Sequence, residues 1–113
     1  MNDTEERNLF HSDTCYKRYL YAKKFAEKIN EYIDNGYLVI DSDNMILSQE
    51  GRFVFDEGEV CFLSGNCKYG WVGSVYDDDN KLYLLESQFS FKNIKKRFQE
   101  ISIVSPKHIK RVR

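Results

Sequence analysis

Residues 51–76 read GRFVFDEGEVCFLSGNCKYGWVGSVY. Three short runs rich in aromatic and β-branched residues, at 52–55, 60–64 and 71–76, alternate in this stretch with turn-forming pairs that contain glycine. Aromatic and β-branched residues favour strands, and glycine beside a polar residue favours a tight turn. The stretch therefore predicts an antiparallel meander, because short strands joined by tight turns pair with their neighbours in sequence.

Further short strands are predicted at residues 37–40, 45–48, 81–85 and 101–104. Two acidic segments, DSDN at 41–44 and DDDN at 77–80, separate neighbouring strands. An EF-hand calcium loop needs alternating acidic residues followed by glycine and a distant glutamate, and neither segment has that spacing. We interpret both segments as hairpin turns and expect no metal ion or other cofactor.

Residues 12–35 have the pattern of one amphipathic helix, with Ser12 or Asp13 as its cap and Asn35-Gly36 as its end. Its apolar stripe, which must pack against the strands, consists of Tyr16, Tyr19, Ala22, Phe25, Ala26, Ile29 and Ile33. A second, short and basic helix is predicted within residues 88–99, with Phe91, Ile94 and Phe98 on one face. Helix and strand segments together predict an α+β fold.

The chain of 113 residues has the length of one domain. We expect a flexible N-terminal tail at residues 1–11 and a single domain at 12–113, with the helix at 12–35 and a barrel-like part at 37–113. The acidic N-terminus has no secretory signal pattern, and an odd number of cysteines (3) favours reduced thiols. We therefore expect a cytoplasmic protein without a membrane segment.

Residues 58–75, GEVCFLSGNCKYGWVGSV, resemble the KOW motif of SH3-like barrels in transcription elongation factors and some ribosomal proteins. The matching positions are Val60, Phe62, Ser64, Gly65, Lys68, Gly70, Gly73 and Val75. Residues 104–112 are similar to the end of such domains. Tyr69 is an extra residue relative to the motif, and residues 88–99 interrupt the barrel before its last strand. The resemblance implies a small, strongly bent antiparallel SH3-like barrel. Together with the helix patterns, it leads us to expect that the long N-terminal helix packs on this barrel and that the short basic helix precedes its last strand.

Loops of this family contact RNA, DNA or a partner protein, and the resemblance implies such a role for Lys68, Tyr69 and Trp71. Aromatic faces at an exposed loop edge can stack on bases or on a partner's side chains. A structural role is the alternative, because Trp71 shares its strand parity with Gly73 and Val75. In that arrangement, Trp71 packs in the barrel and Tyr69 lies at its rim.

The net charge of −1 conceals +7 within residues 92–113 and −9 within residues 31–91. The candidate phosphate-binding residues of the basic end are Lys95, Lys96, Arg97, Lys107, Lys110, Arg111 and Arg113. Each phosphate that a cation neutralises adds to a salt-dependent affinity. There are two alternatives. One is internal neutralisation, in which the basic end lies against the acidic part and binds no partner, and the other is docking of the basic end on an acidic protein.

The sequence has no motif for covalent catalysis and no phosphate-binding loop, so we expect a binding module without enzymatic activity. Its expected partner is nucleic acid or a nucleic-acid-processing protein, with no membrane and no small-molecule substrate. The alternative is a phage- or mobile-element-type inhibitor whose acidic face imitates a row of phosphates. That face would consist of Asp41, Asp43, Asp56, Glu57, Glu59, Asp77, Asp78 and Asp79.

Overall fold

A computed structural model describes residues 3–56, 58–84 and 86–106 as an α+β protein, which confirms the predicted class. Its helices are α1 (Asp3–Asn8), α2 (Asp13–Asp34), α3 (Leu47–Glu50), α4 (Glu86–Phe89) and α5 (Phe91–Gln99). Its strands are β1 (Leu38–Ile40), β2 (Gly51–Asp56), β3 (Glu59–Ser64), β4 (Cys67–Val72), β5 (Val75–Tyr76), β6 (Leu82–Tyr83) and β7 (Ser102–Val104). No helix of the described ranges is long and apolar enough to cross a membrane.

The predicted meander is present as the antiparallel sheet β2-β3-β4. Gly58 and Gly65 lie in its two turns with φ angles of +77° and +58°, a conformation that glycine adopts without a side-chain clash. The predicted strand at 71–76 is wrong in its limits, because pairing with β3 already begins at Cys67 and β4 ends at Val72. Residues 67–70, which lie outside every predicted strand, therefore belong to an edge strand. Lys68, Tyr69 and Trp71, for which the resemblance implies a loop edge, thus lie on this strand.

The remaining strands form two small antiparallel sheets, β1 with β7 and β5 with β6. Within the described ranges, the strands thus make three separate sheets of two, three and two strands. β7 pairs with β1, although the two strands are far apart in the sequence, and Val39 lies opposite Ile103. Because β1 follows α2 and β7 follows α5, this pairing brings the ends of the two helices to the same small sheet.

Helix α2 begins and ends where the sequence predicts. Ser12 caps it, since its Oγ accepts a hydrogen bond from the Cys15 backbone N–H at 3.2 Å. Ala22 and Ala26, each with no exposed surface, and Ile29 pack into the common core. Small side chains at these positions let the helix approach the sheet closely.

A buried asparagine that the apolar stripe does not include also joins α2 to the sheet. Asn30 Nδ2 donates to the Phe53 carbonyl at 2.9 Å, and the Phe53 N–H donates to Asn30 Oδ1 at 2.7 Å. The side-chain amide therefore satisfies both backbone groups of one β2 residue, as a neighbouring strand would.

The predicted strand at 45–48 is wrong. Ile46 makes a single bridge to Ile40, and the chain then turns into α3 with Leu47 fully buried. Ser48 Oγ accepts the Val39 backbone N–H at 3.2 Å. This hydroxyl takes a backbone donor that a strand ladder would otherwise use, which is how serine competes with sheet pairing.

The N-terminal segment is part of the folded unit from Asp3 onward, although residues 1–11 were expected to form a flexible tail. Residues 3–8 form α1, and Phe10 is only 2% exposed. Phe10 bridges Leu82 of β6, with the His11 N–H donating to the Leu82 carbonyl at 2.8 Å and the Leu82 N–H donating to the Leu9 carbonyl at 2.7 Å. Burial of a phenylalanine favours this docked position over a solvated tail.

The two acidic segments are turns of the same geometry. The turn at 77–80 joins the hairpin β5-β6, as predicted, whereas the turn at 41–44 leads from β1 only to the single bridge between Ile40 and Ile46. In each, the first aspartate, Asp41 or Asp77, accepts through Oδ1 the backbone N–H groups two and four residues later, at 2.9 Å. Asn44 and Asn80 occupy the left-handed position with φ angles of 64° and 58°. Asparagine tolerates that conformation better than other residues with a Cβ.

Candidate nucleic-acid interface

A bulge in β4 sets the position of Trp71. The residues on either side of Trp71 pair with two consecutive residues of β3, so Trp71 itself has no partner in the ladder. Its ring contacts Phe53 at 5.2 Å between centroids, nearly perpendicular at 86°, and Phe98 of α5 at 5.9 Å. Trp71 is half-buried. It is therefore both a core contact and a groove wall.

Helix α5 provides the second wall. Ser90 caps it, with Oγ accepting the Asn93 backbone N–H at 3.2 Å. Ile94 and Phe98 are buried, and Phe98 stacks on Phe25 of α2 with an interplanar angle of 10° and centroids 5.4 Å apart. The predicted apolar face of the basic helix thus fixes α5 against both α2 and the sheet, and the remaining positions are directed away from the core.

The two walls meet at Arg97. Its guanidinium carbon lies over the Trp71 ring, 4.5 Å from the ring centroid. Stacking of arginine on tryptophan is the most favourable of the common cation–π pairs and orders the long side chain. The groove between β4 and α5 has a volume of about 460 Å³, and its lining includes Trp71, Asn93, Lys96, Arg97 and Glu100.

Among the described residues, no acid forms an ion pair with the cations of α5. Lys92, Lys95, Lys96 and Arg97 are exposed, and in the part of the chain that the structure describes no carboxylate lies within 4.0 Å of their charged groups. Exposed cations without internal partners remain available to an anionic ligand. Within the described residues, the basic end is therefore not neutralised by internal ion pairs, which was one alternative that the sequence left open.

Lys68 lies in a different electrostatic environment. Its Nζ donates to Asp56 Oδ2 at 3.2 Å and lies 3.8 Å from Glu59 Oε2. The hydrogen bond to Asp56 raises the pKa of Lys68, since it stabilises the ammonium form. Lys68 and Tyr69 are consecutive on a strand and therefore point to opposite faces of the sheet. Lys68 therefore lies on the same face of the sheet as Asp56 and Glu59, whose charges it partly neutralises.

The remaining predicted basic and aromatic residues are spread more widely. Tyr69 is 47% exposed and lies two residues before Trp71 on the edge strand. Lys95 lies on the opposite flank of α5 from Arg97, because two residues turn a helix by about 200°. Lys107, Lys110, Arg111 and Arg113 lie outside the described residues. The structure brings Trp71, Lys96 and Arg97 together.

The predicted acidic face is divided among turns. Asp41 is buried, and its carboxylate, like that of Asp77, accepts backbone N–H groups within its own turn. Asp77 also bonds to His11, and its pKa is lowered chiefly by the hydrogen bond from the Lys81 N–H. The exposed members of the set are Asp43, Asp56, Asp78 and Asp79, whereas Glu59 is half-buried and Glu57 lies outside the described residues. In those ranges, no three metal-ligating side chains form a group.

The three cysteines are free thiols. Cys61 is buried, and its Sγ donates to Glu59 Oε2 at 3.6 Å. Burial raises the pKa of the Cys61 thiol, which disfavours the thiolate that a nucleophile or metal ligand needs.

The sequence did not identify four residues of the groove lining, Gln88 and Phe89 of α4 and Asn93 and Glu100 in and beside α5. The signal that the sequence contains is the helical spacing of the last two, since Asn93, Lys96, Arg97 and Glu100 recur at three and four residues on the side of α5 opposite its apolar face. That spacing marks them as neighbours, but only the packing of α5 places them beside Trp71.

Searches against known protein families, curated proteins and solved structures find no match to this chain.

Proposed function

We propose that the protein is a non-enzymatic nucleic-acid-binding module of the cytoplasm and that it binds through the groove between β4 and α5. One observation carries the proposal: Lys96 and Arg97, which have no carboxylate within 4.0 Å among the described residues, line the groove beside the half-buried Trp71. Neutralisation of phosphates releases counterions and supplies sequence-independent affinity. Aromatic side chains at the same site add stacking on bases.

The proposal includes the finer architecture, an SH3-like barrel with a KOW-type hairpin. Its support is the meander β2-β3-β4, with Gly65 in the left-handed conformation at the β3–β4 turn. Its expected closing strand falls largely within residues 107–113, outside the described residues.

A protein-binding inhibitor that presents an acidic face has less support. Such mimicry requires carboxylates that are free to meet a basic cleft. Asp41 and Asp77 use their carboxylates to order turns, and Asp56 is paired with Lys68. We therefore assign the binding surface to the cationic groove.

The test is fluorescence anisotropy with short labelled RNA and DNA over a salt series. We compare the wild type with Lys96→Ala and with the triple variant Lys95→Ala, Lys96→Ala and Arg97→Ala. The slope of log affinity against log salt should become shallower by about 0.7–0.9 for each phosphate contact removed. Lys24→Ala, at an exposed lysine of α2, removes one charge at a distant surface and should leave the slope unchanged.

Two results would contradict the proposal: no binding of either nucleic acid at low salt, or a triple variant that binds like the wild type. A nuclease-treated pull-down then tests the inhibitor alternative. Recovery of one stoichiometric protein that survives the nuclease would favour the acidic face, and nuclease-sensitive recovery of many proteins would favour nucleic-acid binding.

A further inference from the structure

The Trp71–Arg97 pair presents a flat cationic surface in the groove. Arginine ordinarily loses considerable side-chain entropy when a ligand fixes it. Here, the Trp71 ring holds the guanidinium at 4.5 Å from its centroid before any ligand arrives, yet Arg97 remains exposed. The guanidinium is therefore partly ordered in advance and remains accessible to a second flat group.

The groove is also small for a double helix. Helix α5 has nine residues and is thus about 13 Å long, which corresponds to about four phosphates along one strand of a duplex. Lys96 and Arg97 line the groove, and Glu100 at its end places a negative charge there. Duplex binders usually rely on more phosphate contacts than this, whereas a single strand adds the stacking of an unpaired base to each contact.

We propose that the groove takes single-stranded nucleic acid, with an unpaired base stacked on the Arg97 guanidinium that Trp71 positions and with Lys96 on a neighbouring phosphate. The inference rests on the proposed nucleic-acid function and specifies its ligand. Guanidinium planes are established stacking surfaces for unpaired bases. Bases that are paired within a duplex keep their faces covered and cannot use this surface.

The ligand side of the test uses four fluorescently labelled probes of equal length: single-stranded DNA, single-stranded RNA, a DNA duplex, and single-stranded DNA with one central abasic site. The wild type should bind both single strands about tenfold more tightly than the duplex at the same salt concentration. Because the chain has one tryptophan, the emission of Trp71 reports the same event, and single strands should change it more than the duplex does.

Protein variants distinguish the effect of the planar guanidinium group of Arg97 from the effect of its positive charge. Arg97→Lys keeps the charge and removes the planar group. Its affinity for single strands should fall about tenfold, with the salt slope unchanged and the affinity for the duplex nearly constant. Arg97→Ala should lose affinity for both ligands. Lys24→Ala is again the matched surface control.

The possible results distinguish failure of base stacking on Arg97 from failure of nucleic-acid binding itself. If Arg97→Lys binds single strands like the wild type, or if the duplex binds as tightly as the single strand, base stacking on Arg97 is wrong while nucleic-acid binding stands. If no probe binds at low salt, the proposed function fails and this inference fails with it. The stacked geometry would be supported if Arg97→Lys and the abasic site each lower the affinity for the single strand, and if the variant binds the abasic probe no more weakly than either change alone predicts.

Discussion

Replacement of Asn30 by alanine should destabilise the protein by about 3 kcal/mol. The Asn30 amide is buried and makes two hydrogen bonds with the Phe53 backbone, at 2.9 Å and 2.7 Å. The variant would leave one buried N–H and one buried carbonyl of Phe53 without a partner, and each unsatisfied group costs about 1–3 kcal/mol. Alanine cannot reach either group, and the site is closed to bulk water on the helix side.

Urea unfolding followed by circular dichroism measures this cost. With a slope of about 1.5 kcal/mol per molar, the midpoint of Asn30→Ala should fall by about 2 M. Asn35→Ala is the matched control, because Asn35 lies on the same helix end and its amide bonds to the Glu31 carbonyl at an exposed site. Its midpoint should change by less than about 0.3 M. A midpoint shift for Asn30→Ala as small as that of the control would show that the amide does not substitute for a strand.

The remaining predictions concern two glycines of the sheet, Gly51 and Gly70, and two residues of the turn at 77–80, Asn80 and Asp77. In Gly51→Ala, the new Cβ would lie 1.7 Å from the Leu63 carbonyl oxygen, so we expect a loss of about 2 kcal/mol or more in urea unfolding. Gly70→Ala, which meets no atom within 4 Å, should be nearly neutral. Asn80→Ala should cost about 1 kcal/mol because φ is 58°, whereas Asn80→Gly should retain the wild-type melting temperature. The lowered pKa of Asp77 means that its stabilising effect is complete above the unfolded value of 3.8 and is lost as the pH falls below it, so the melting temperature of Asp77→Asn should fall less between pH 6 and pH 2 than that of the wild type.

The sequence predicted those elements whose signal is local and periodic. The stripe of α2, its cap at Ser12, the apolar face of α5 and the meander β2-β3-β4 are each encoded in a window of 10–25 residues. The turn geometry of both acidic segments was also predictable, because the aspartate accepts backbone N–H groups within four residues and the asparagine itself adopts the left-handed conformation. In such segments, the residues that specify the structure are the residues that form it.

The errors arose where distant contacts decide the local structure. The N-terminal segment joins the fold through Phe10 and Leu82, which are far apart in sequence, and its own composition is that of a tail. Residues 45–48 are apolar enough for a strand, but burial of Leu47 and the Ser48–Val39 hydrogen bond favour a helical turn. Tertiary packing overrides propensity in short segments like these.

The candidate site was predictable as a set of residue types but not as an arrangement. Trp71 had two open interpretations, as an exposed loop residue or as a core residue, and the bulge in β4 combines parts of both. Strand parity alone could not anticipate this, because a bulge shifts the alternation by one residue. The partner Arg97 is 26 positions away, and its stacking depends on how Phe98 anchors α5.

Within the described residues, the separation of charge along the chain is not cancelled by ion pairs between the acidic middle and helix α5. The middle of the chain carries −9, but its aspartates Asp41 and Asp77 serve their own turns, and the sheet face pairs Asp56 with Lys68. These acids act locally, so they leave the cations of α5 uncompensated within the described residues. An anionic ligand that binds α5 therefore does not have to displace an internal salt bridge, which lowers the cost of binding. Introducing such a salt bridge beside Arg97 would accordingly weaken any phosphate contact at the groove, even though the net charge of the whole protein would hardly change.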